Sequence, residues 1–287
     1  MRPGFLILAA ALGFGPMQAA EDPKLAQALA EVGRAASAFW HAAPDYVARE
    51  TLNQKALAVP KRRLRVGASA LQSPNAEFRH REIVSFYAFS SFRSSPEALR
   101  EFREVISLDG QTSADASSPE RLRNAVAGYD DRAKRDLAHE FEKDSLSVTA
   151  TDFGQLVLLF TKPSQAKYEF QWRASAMVGA DRAMIVDFTQ RAGGEALRVA
   201  EPGRDVREPL RGQIWIRESD FLPLRITLAT SHQEKSQTLR DDARVDYEPK
   251  ANGLVLPVSV VYRRFVNGEV AAEDVYRYAE WERWNRK

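Results

Sequence analysis

Four histidines, His41, His80, His139 and His232, and the tetrapeptide Ser164-Gln165-Ala166-Lys167 are the first places in this 287-residue chain to look for chemistry. A histidine acts as base or metal ligand only in company, and none of the four stands in an HExxH or comparable spacing. Each is therefore read as a surface or internally satisfied histidine. The tetrapeptide matches the SxxK pattern, in which a serine opens a helix and the lysine one turn on lies beside it. Here Pro163 precedes it and a strand pattern comes after it, so it is expected to be a hairpin loop without catalytic work. No GxSxG, phosphate-binding glycine loop, dinucleotide glycine pattern or calcium-loop pattern occurs.

Two carboxylate pairs, Asp130-Asp131 and Asp241-Asp242, could serve acid and base roles if both side chains met one bond. Adjacent residues on a helix or strand diverge, so each pair is read as part of a solvated charged face. There is no cysteine. That removes disulfides, thiol chemistry, the commonest soft metal ligand and the lipidated cysteine that tethers a bacterial lipoprotein. No catalytic residue, metal or cofactor is expected, and a hydrolase assembled from residues distant in sequence stands only as a third reading.

Met1 and Arg2 are followed by an uncharged run from Pro3 to Ala20 whose centre is FLILAAALGF, Phe5 to Phe14. This reads as a secretory signal peptide cleaved near Ala19 or Ala20, because the strongly apolar part is about half of the roughly 20 residues that a spanning helix needs. The alternative is an uncleaved anchor. Lysine and arginine number 41 against 39 acidic residues, and removing the segment that holds Arg2 leaves 40 against 39. A charge so balanced gives no reason to expect nucleic acid as a partner. The expectation is an exported, periplasmic monomer.

The elements that must position any site begin with Asp22-Pro23, an N-cap and first-turn proline, followed by Leu25, Leu29, Val32, Ala36 and Phe39 at helical spacing. A helix is predicted from Pro23 to Trp40. Tyr46 to Leu57 alternates as a strand. Ala58 to Arg81 is polar and basic and reads as a solvated loop or hairpin tip, with contact to anionic headgroups or a partner as its functional alternative. Arg81 to Phe92 is apolar on both faces, as a strand covered on two sides would be. Glu101 to Leu108 reads as a strand ending at the Asp109-Gly110 turn signal. From Ser117 to Ser145 the stripe Leu122, Val126, Tyr129, Ala133, Leu137 and Phe141 predicts one amphipathic helix, with a Ser117/Glu120 capping box and a bend at Gly128.

Beyond Gly154 the strand period returns in Leu156 to Phe160, Tyr168 to Ala174, Ala183 to Thr189, Gly212 to Arg217, Leu222 to Thr230, Leu239 to Glu248, Leu254 to Val266 and Val270 to Trp284. Asn252-Gly253 and Asn267-Gly268 are expected to form two-residue primed turns, which tie the last three strands into a meander. Gly193 to Pro209 is expected as a mobile loop. About eleven strands and two helices result, in the roughly 265 residues that remain after the leader. The fold class expected is mainly β with α: one domain over 21–287, a curved antiparallel sheet covered or plugged by amphipathic helices.

On alternation alone, Tyr168, Phe170, Trp172, Leu224, Ile226, Leu228, Val258, Val260 and Tyr262 share the apolar face and could line a ligand groove. The aromatics among them, with Phe188 and Tyr247, could instead fill a core, which is the commoner use of such residues.

A family resemblance bears on that choice. RGQIWIRESDFLPLRITLAT, Arg211 to Thr230, and VDYEPKANGLVLPVSVVYRRF, Val245 to Phe265, resemble paired strands of the outer-membrane lipoprotein-sorting protein superfamily, the Lol-type periplasmic carriers of the Gram-negative envelope. The carrying residues are Ile214, Trp215 and Ile216, then Pro223, Leu224 and Arg225. REIVSFYAF and FREVISLDGQ resemble an upstream part of uncharacterised relatives. The resemblance implies an incomplete β-barrel with helices over its open side and an apolar concavity that shelters acyl chains. The polar stretch from Ala58 to Arg81 and the charged helix after Ser117 depart from the lipoprotein carriers. The expected function is non-catalytic carriage of a lipid, or of the acyl chain of a lipidated protein, with transient contact at a membrane surface. The alternative is an interaction or sensor module with a closed core, whose partner is an envelope protein bound through a loop such as Gly193 to Pro209.

Overall fold

The computed structural model describes residues 22–57, 77–112, 118–128, 131–146, 152–191, 197–201, 204–234, 237–250 and 252–284. The expected signal peptide and most of the polar stretch from Ala58 to Arg81 lie outside the described residues. Helix α1, Pro23–Ala42, starts as expected, with the Asp22 carboxylate accepting from Lys24 N–H at 2.9 Å and Pro23 in the first turn. Val32, Ala36 and Phe39 of its stripe are fully buried.

Strands β1 (Tyr46–Leu57), β2 (Phe78–Phe92), β3 (Ser95–Leu108) and the two-residue β4 (Gln111–Thr112) come next. Asp109 and Gly110 both have positive φ, +49° and +80°, as a two-residue primed turn requires. Helices α2, Glu120–Ala127, and α3, Asp131–Asp144, replace the single helix expected from Ser117 to Ser145. Gly128 closes α2 in an extended conformation, ψ 152°, which ends the helix where a bend was expected. The break shifts the phase of α3 relative to α2: Ala133 is exposed, and Lys134 is buried with its ammonium donating to Ser91 O at 2.7 Å.

Leu156–Phe160, expected as a strand, is a 3₁₀ turn, and the one-turn helix α4, Lys162–Gln165, succeeds it. Five apolar residues give no period long enough to tell a strand from a buried turn. Strands β5 (Tyr168–Val178) and β6 (Asp181–Gln190) are next, and β7 (Leu197–Glu201) with β8 (Arg204–Glu208) forms a separate two-stranded hairpin inside the segment expected to be a loop. The chain ends in β9 (Arg211–Arg217), β10 (Pro223–Glu234), β11 (Gln237–Pro249), β12 (Val255–Val266) and β13 (Glu269–Arg283). Asn267 and Gly268 form the expected primed turn, at φ +54° and +88°. The Asn252-Gly253 turn is wider than expected. Lys250 N–H pairs with Leu254 O, enclosing three residues, and Gly253 N–H returns to Lys250 O.

Eleven strands form one antiparallel sheet in the order β4-β3-β2-β1-β13-β12-β11-β10-β9-β6-β5. The sheet is curved and does not close, an incomplete barrel with helices. In a flat sheet β3 and β5 would lie about 43 Å apart, at roughly 4.8 Å per strand. Here the start of β3 and the start of β5 line one cavity. The curl is a consequence of burial: one apolar cluster takes side chains from the inner face of β2, β1, β12, β11, β10, β9 and β6, and from α1 and the 3₁₀ turn. A second cluster on the other face packs Leu122, Val126 and Leu137 of α2 and α3 against Ala88 and Phe102, so β2 is covered on both sides as its sequence predicts. Phe141 of α3 joins the inner cluster instead, so α3 bridges the two.

Candidate functional site

The site is built at the seam where the two ends of the open sheet face each other. A 3₁₀ turn and α4 fill the gap between α1 and β5. Two devices hold them there. Gln165 donates to Leu29 O in α1 and to Phe160 O, both at 2.8 Å, and Tyr247 Oη accepts from Val157 N–H at 3.0 Å. Burial pushes the Tyr247 phenol up from its ordinary value, so it stays neutral. Within the turn, Val157 and Phe160 are buried in the core and Leu158 and Leu159 are half-buried.

Leu158 and Leu159 form one wall of a cavity of about 760 Å³. Trp40 of α1, Leu99 of β3, Tyr168 of β5 and Leu210 supply the other apolar surfaces, and Glu97, Arg100 and Lys167 bring charge to it. A cavity of this size lies within the roughly 300–1,000 Å³ range of small-molecule sites, which are mostly apolar with a few placed polar groups. Gln155 Oε1, in the same wall, is buried and accepts no hydrogen bond from the described residues.

One wall of the seam is pinned by a buried ionic cluster. Arg103 donates to both oxygens of Glu50, at 2.7 and 2.9 Å, and to Glu101 at 2.8 Å. The Glu101 carboxylate then accepts from Asp152 N–H at 3.0 Å and Gly154 N–H at 2.6 Å. Asp152 answers by accepting from Glu101 N–H at 3.0 Å and Arg100 Nη1 at 2.5 Å. This reciprocal bracket fixes the segment that leads into the 3₁₀ turn. A Cβ at Gly154 would stand 2.6 Å from Tyr87 Oη and 2.8 Å from Glu101 Oε1, so the chain passes there only as glycine.

The guanidinium of Arg103 is also surrounded by rings, with Phe141 at 4.7 Å, Tyr87 at 5.1 Å and Tyr276 at 5.4 Å from their centroids. Burial works to lower the Arg103 pKa, and the Glu50 and Glu101 carboxylates outweigh it, holding Arg103 well above its ordinary value. Glu50 moves up as well: burial raises it more than the Arg103 charge and hydrogen bonds lower it. Burial likewise pushes the phenols of Tyr87, Tyr276 and Tyr278 well up.

The residues singled out by sequence divide between cavity, core and surface. Tyr168 lines the seam cavity. Ile226, Leu228 and Val260 belong to the inner core cluster, and Phe170, Trp172 and Tyr262 pack half-buried against it. Leu224, buried, and Val258, half-buried, are the unpaired residues at two β-bulges, each directly after a proline. His41, His80 and His139 are exposed on α1, β2 and α3. Ser164 lies in α4, not in the expected hairpin loop, and its hydroxyl oxygen accepts from Thr161 Oγ1 at 2.9 Å. Asp241 also departs from expectation. It is buried rather than solvated, accepting from Tyr262 Oη at 2.6 Å and Arg264 Nε at 2.9 Å, while its neighbour Asp242 faces out. Among the described residues no group of three or more His, Asp or Glu side chains is placed to hold a metal ion.

Sequence reasoning missed the Glu50–Arg103–Glu101 cluster and the cavity beside it. Glu50, Glu101 and Arg103 sit at inward positions of their strands, and a charged residue at an inward position is the signal that could have marked them.

No protein-family model matches the chain, and no curated protein matches it. Solved structures do resemble it. A DUF1329 family protein from Desulfovibrio piger ATCC 29098 is 10% identical, with 91% of this chain and 93% of that one covered at a TM-score of 0.42. A LolA superfamily protein from Nitrosomonas europaea is 9% identical, with 91% and 94% covered at 0.33. An outer membrane lipoprotein-sorting protein domain from Vibrio parahaemolyticus is 9% identical, with 88% and 91% covered at 0.39. The fold itself rests on the strand order and the open curl of the sheet.

Proposed function

We propose that this protein is a periplasmic carrier that shelters an acyl chain, of a lipid or of a lipidated protein, in the cavity at the seam of its open barrel. The observation that carries the reading is the cavity of about 760 Å³ walled by Trp40, Leu99, Leu158, Leu159, Tyr168 and Leu210. Each methylene taken from water into such a wall contributes about 0.8 kcal/mol, so ten of them suffice for tight, non-covalent retention. The chemistry needed is burial alone. Release needs only a shift of the 3₁₀ turn and α4, the two smallest elements of the wall.

Binding of a fluorescent fatty-acid probe to the full chain tests this. The unaltered protein should bind it saturably, and Ala98→Trp, which fills the cavity from β3, should weaken binding by about tenfold while thermal unfolding stays cooperative. Absence of probe binding to the unaltered protein, or full binding by a folded Ala98→Trp variant, would sink the reading.

A further inference from the structure

Among the described residues, Glu97, Arg100 and Lys167 are the charged side chains that line the seam cavity. Arg100 is already engaged, donating to Asp152 at 2.5 Å. Glu97 and Lys167 are exposed, and neither makes an ion pair or side-chain hydrogen bond with another described residue. They come from opposite ends of the sheet, Glu97 in β3 and Lys167 immediately before β5. An exposed anion and an exposed cation at one opening, neither paired with another described residue, complement a ligand that carries both charges. A simple anion would meet Lys167 but face Glu97, and an uncharged head would engage neither charge. Gln155 Oε1, buried without a donor among the described residues, adds an acceptor in the same wall.

We infer that the cavity takes a single-chain zwitterionic amphiphile, its ammonium directed to Glu97 and its phosphate to Lys167, with the acyl chain against Trp40, Leu158 and Leu159. The inference rests on the carrier reading above and names the ligand class for the same cavity. At about 760 Å³ the cavity lies within the range of single small-molecule sites, which suits one acyl chain and a head.

The test measures binding of three amphiphiles of equal chain length to the full chain: lysophosphatidylethanolamine, a fatty acid and a monoacylglycerol. The zwitterion should bind tightest, with each exposed rim charge contributing about two- to fivefold. Glu97→Gln and Lys167→Gln should each remove one such step, and the exchange E97K/K167E should restore the preference, which a merely structural role for either residue would not do. Equal binding of all three amphiphiles, or a zwitterion preference untouched by both single variants, overturns the inference while leaving acyl carriage standing. Binding of none overturns the carrier reading with it.

Discussion

Glu50 has no exposed surface, and its protonation is set by a contest between burial and Arg103, 2.7 and 2.9 Å away. Burial wins, and the Glu50 pKa lies above its ordinary value of 4.5. A carboxyl whose pKa is raised by folding holds more protons in the native state than in the unfolded chain between the two values. The stability it contributes is therefore fully present below 4.5 and is lost as pH climbs through the folded value, at no more than about 1.4 kcal/mol per pH unit. Glu50→Gln keeps two polar atoms beside Arg103 and removes the titration. Urea unfolding of both proteins across a pH series should show the unaltered protein losing stability relative to Glu50→Gln as pH rises from 4.5. A constant difference between the two would mean that Glu50 titrates alike folded and unfolded, against the buried geometry. The same guanidinium holds Glu101, which holds Asp152 and Gly154. A single buried charge thus reaches the edge of the seam cavity.

At the scale of elements, the strands of the large sheet from Tyr168 onward were legible because an antiparallel sheet with one buried face imposes a period of two on the sequence. The turns were legible where two residues must both adopt positive φ, as Asp109-Gly110 and Asn267-Gly268 do. Besides the β7–β8 hairpin, which stands where a loop was expected, three features were not legible from period alone. Leu156 to Phe160 has an apolar run that suits either a strand or a buried turn, and only the absence of a neighbouring strand decides. Gly128 was expected to bend a helix that it ends. The bulges at Leu224 and Val258 come directly after Pro223 and Pro257, and a proline inside an alternating strand is a bulge signal that alternation passes over. For the site, Tyr168 was legible as an apolar strand residue. The seam was not, because it joins segments far apart in sequence, from Trp40 to Leu210. Gly212 shows how tightly strands that are visible in sequence can meet. A Cβ there would overlap the Thr227 carbonyl oxygen and stand 2.9 Å from Phe188 Cζ. Gly212→Ala should separate β9 from β10 and cost about 3 kcal/mol in denaturant unfolding, in the upper part of the range for single substitutions. A loss below about 0.5 kcal/mol, the level of an inert surface change, would show that the two strands give way easily.

For the molecule as a whole, the question is whether the inner face of the open barrel is a groove or a core. Leu25 and Trp40 of α1 pack half-buried against the inner cluster, and Val32, Ala36 and Phe39 are fully buried in it. Phe39 meets Phe89 of β2 edge to face at 5.1 Å between ring centroids. In this arrangement Ile226, Leu228 and Val260 are buried in the inner cluster that α1 and the 3₁₀ turn share, whereas the seam cavity opens with α1 in place. The two possibilities predict opposite outcomes for Phe39→Ala. If α1 is part of the core, the truncation leaves a void beneath it and costs about 3–5 kcal/mol in unfolding free energy, with affinity for the fatty-acid probe unchanged in the protein that remains folded. If α1 is a lid over an inner groove, removing its largest buried anchor costs far less and raises probe affinity, because the open state becomes easier to reach. Denaturant unfolding and probe titration of the same variant read both quantities. The full burial of Phe39 and the edge-to-face ring contact favour the first outcome, and a gain in probe affinity with little loss of stability would move the binding site from the seam to the inner face.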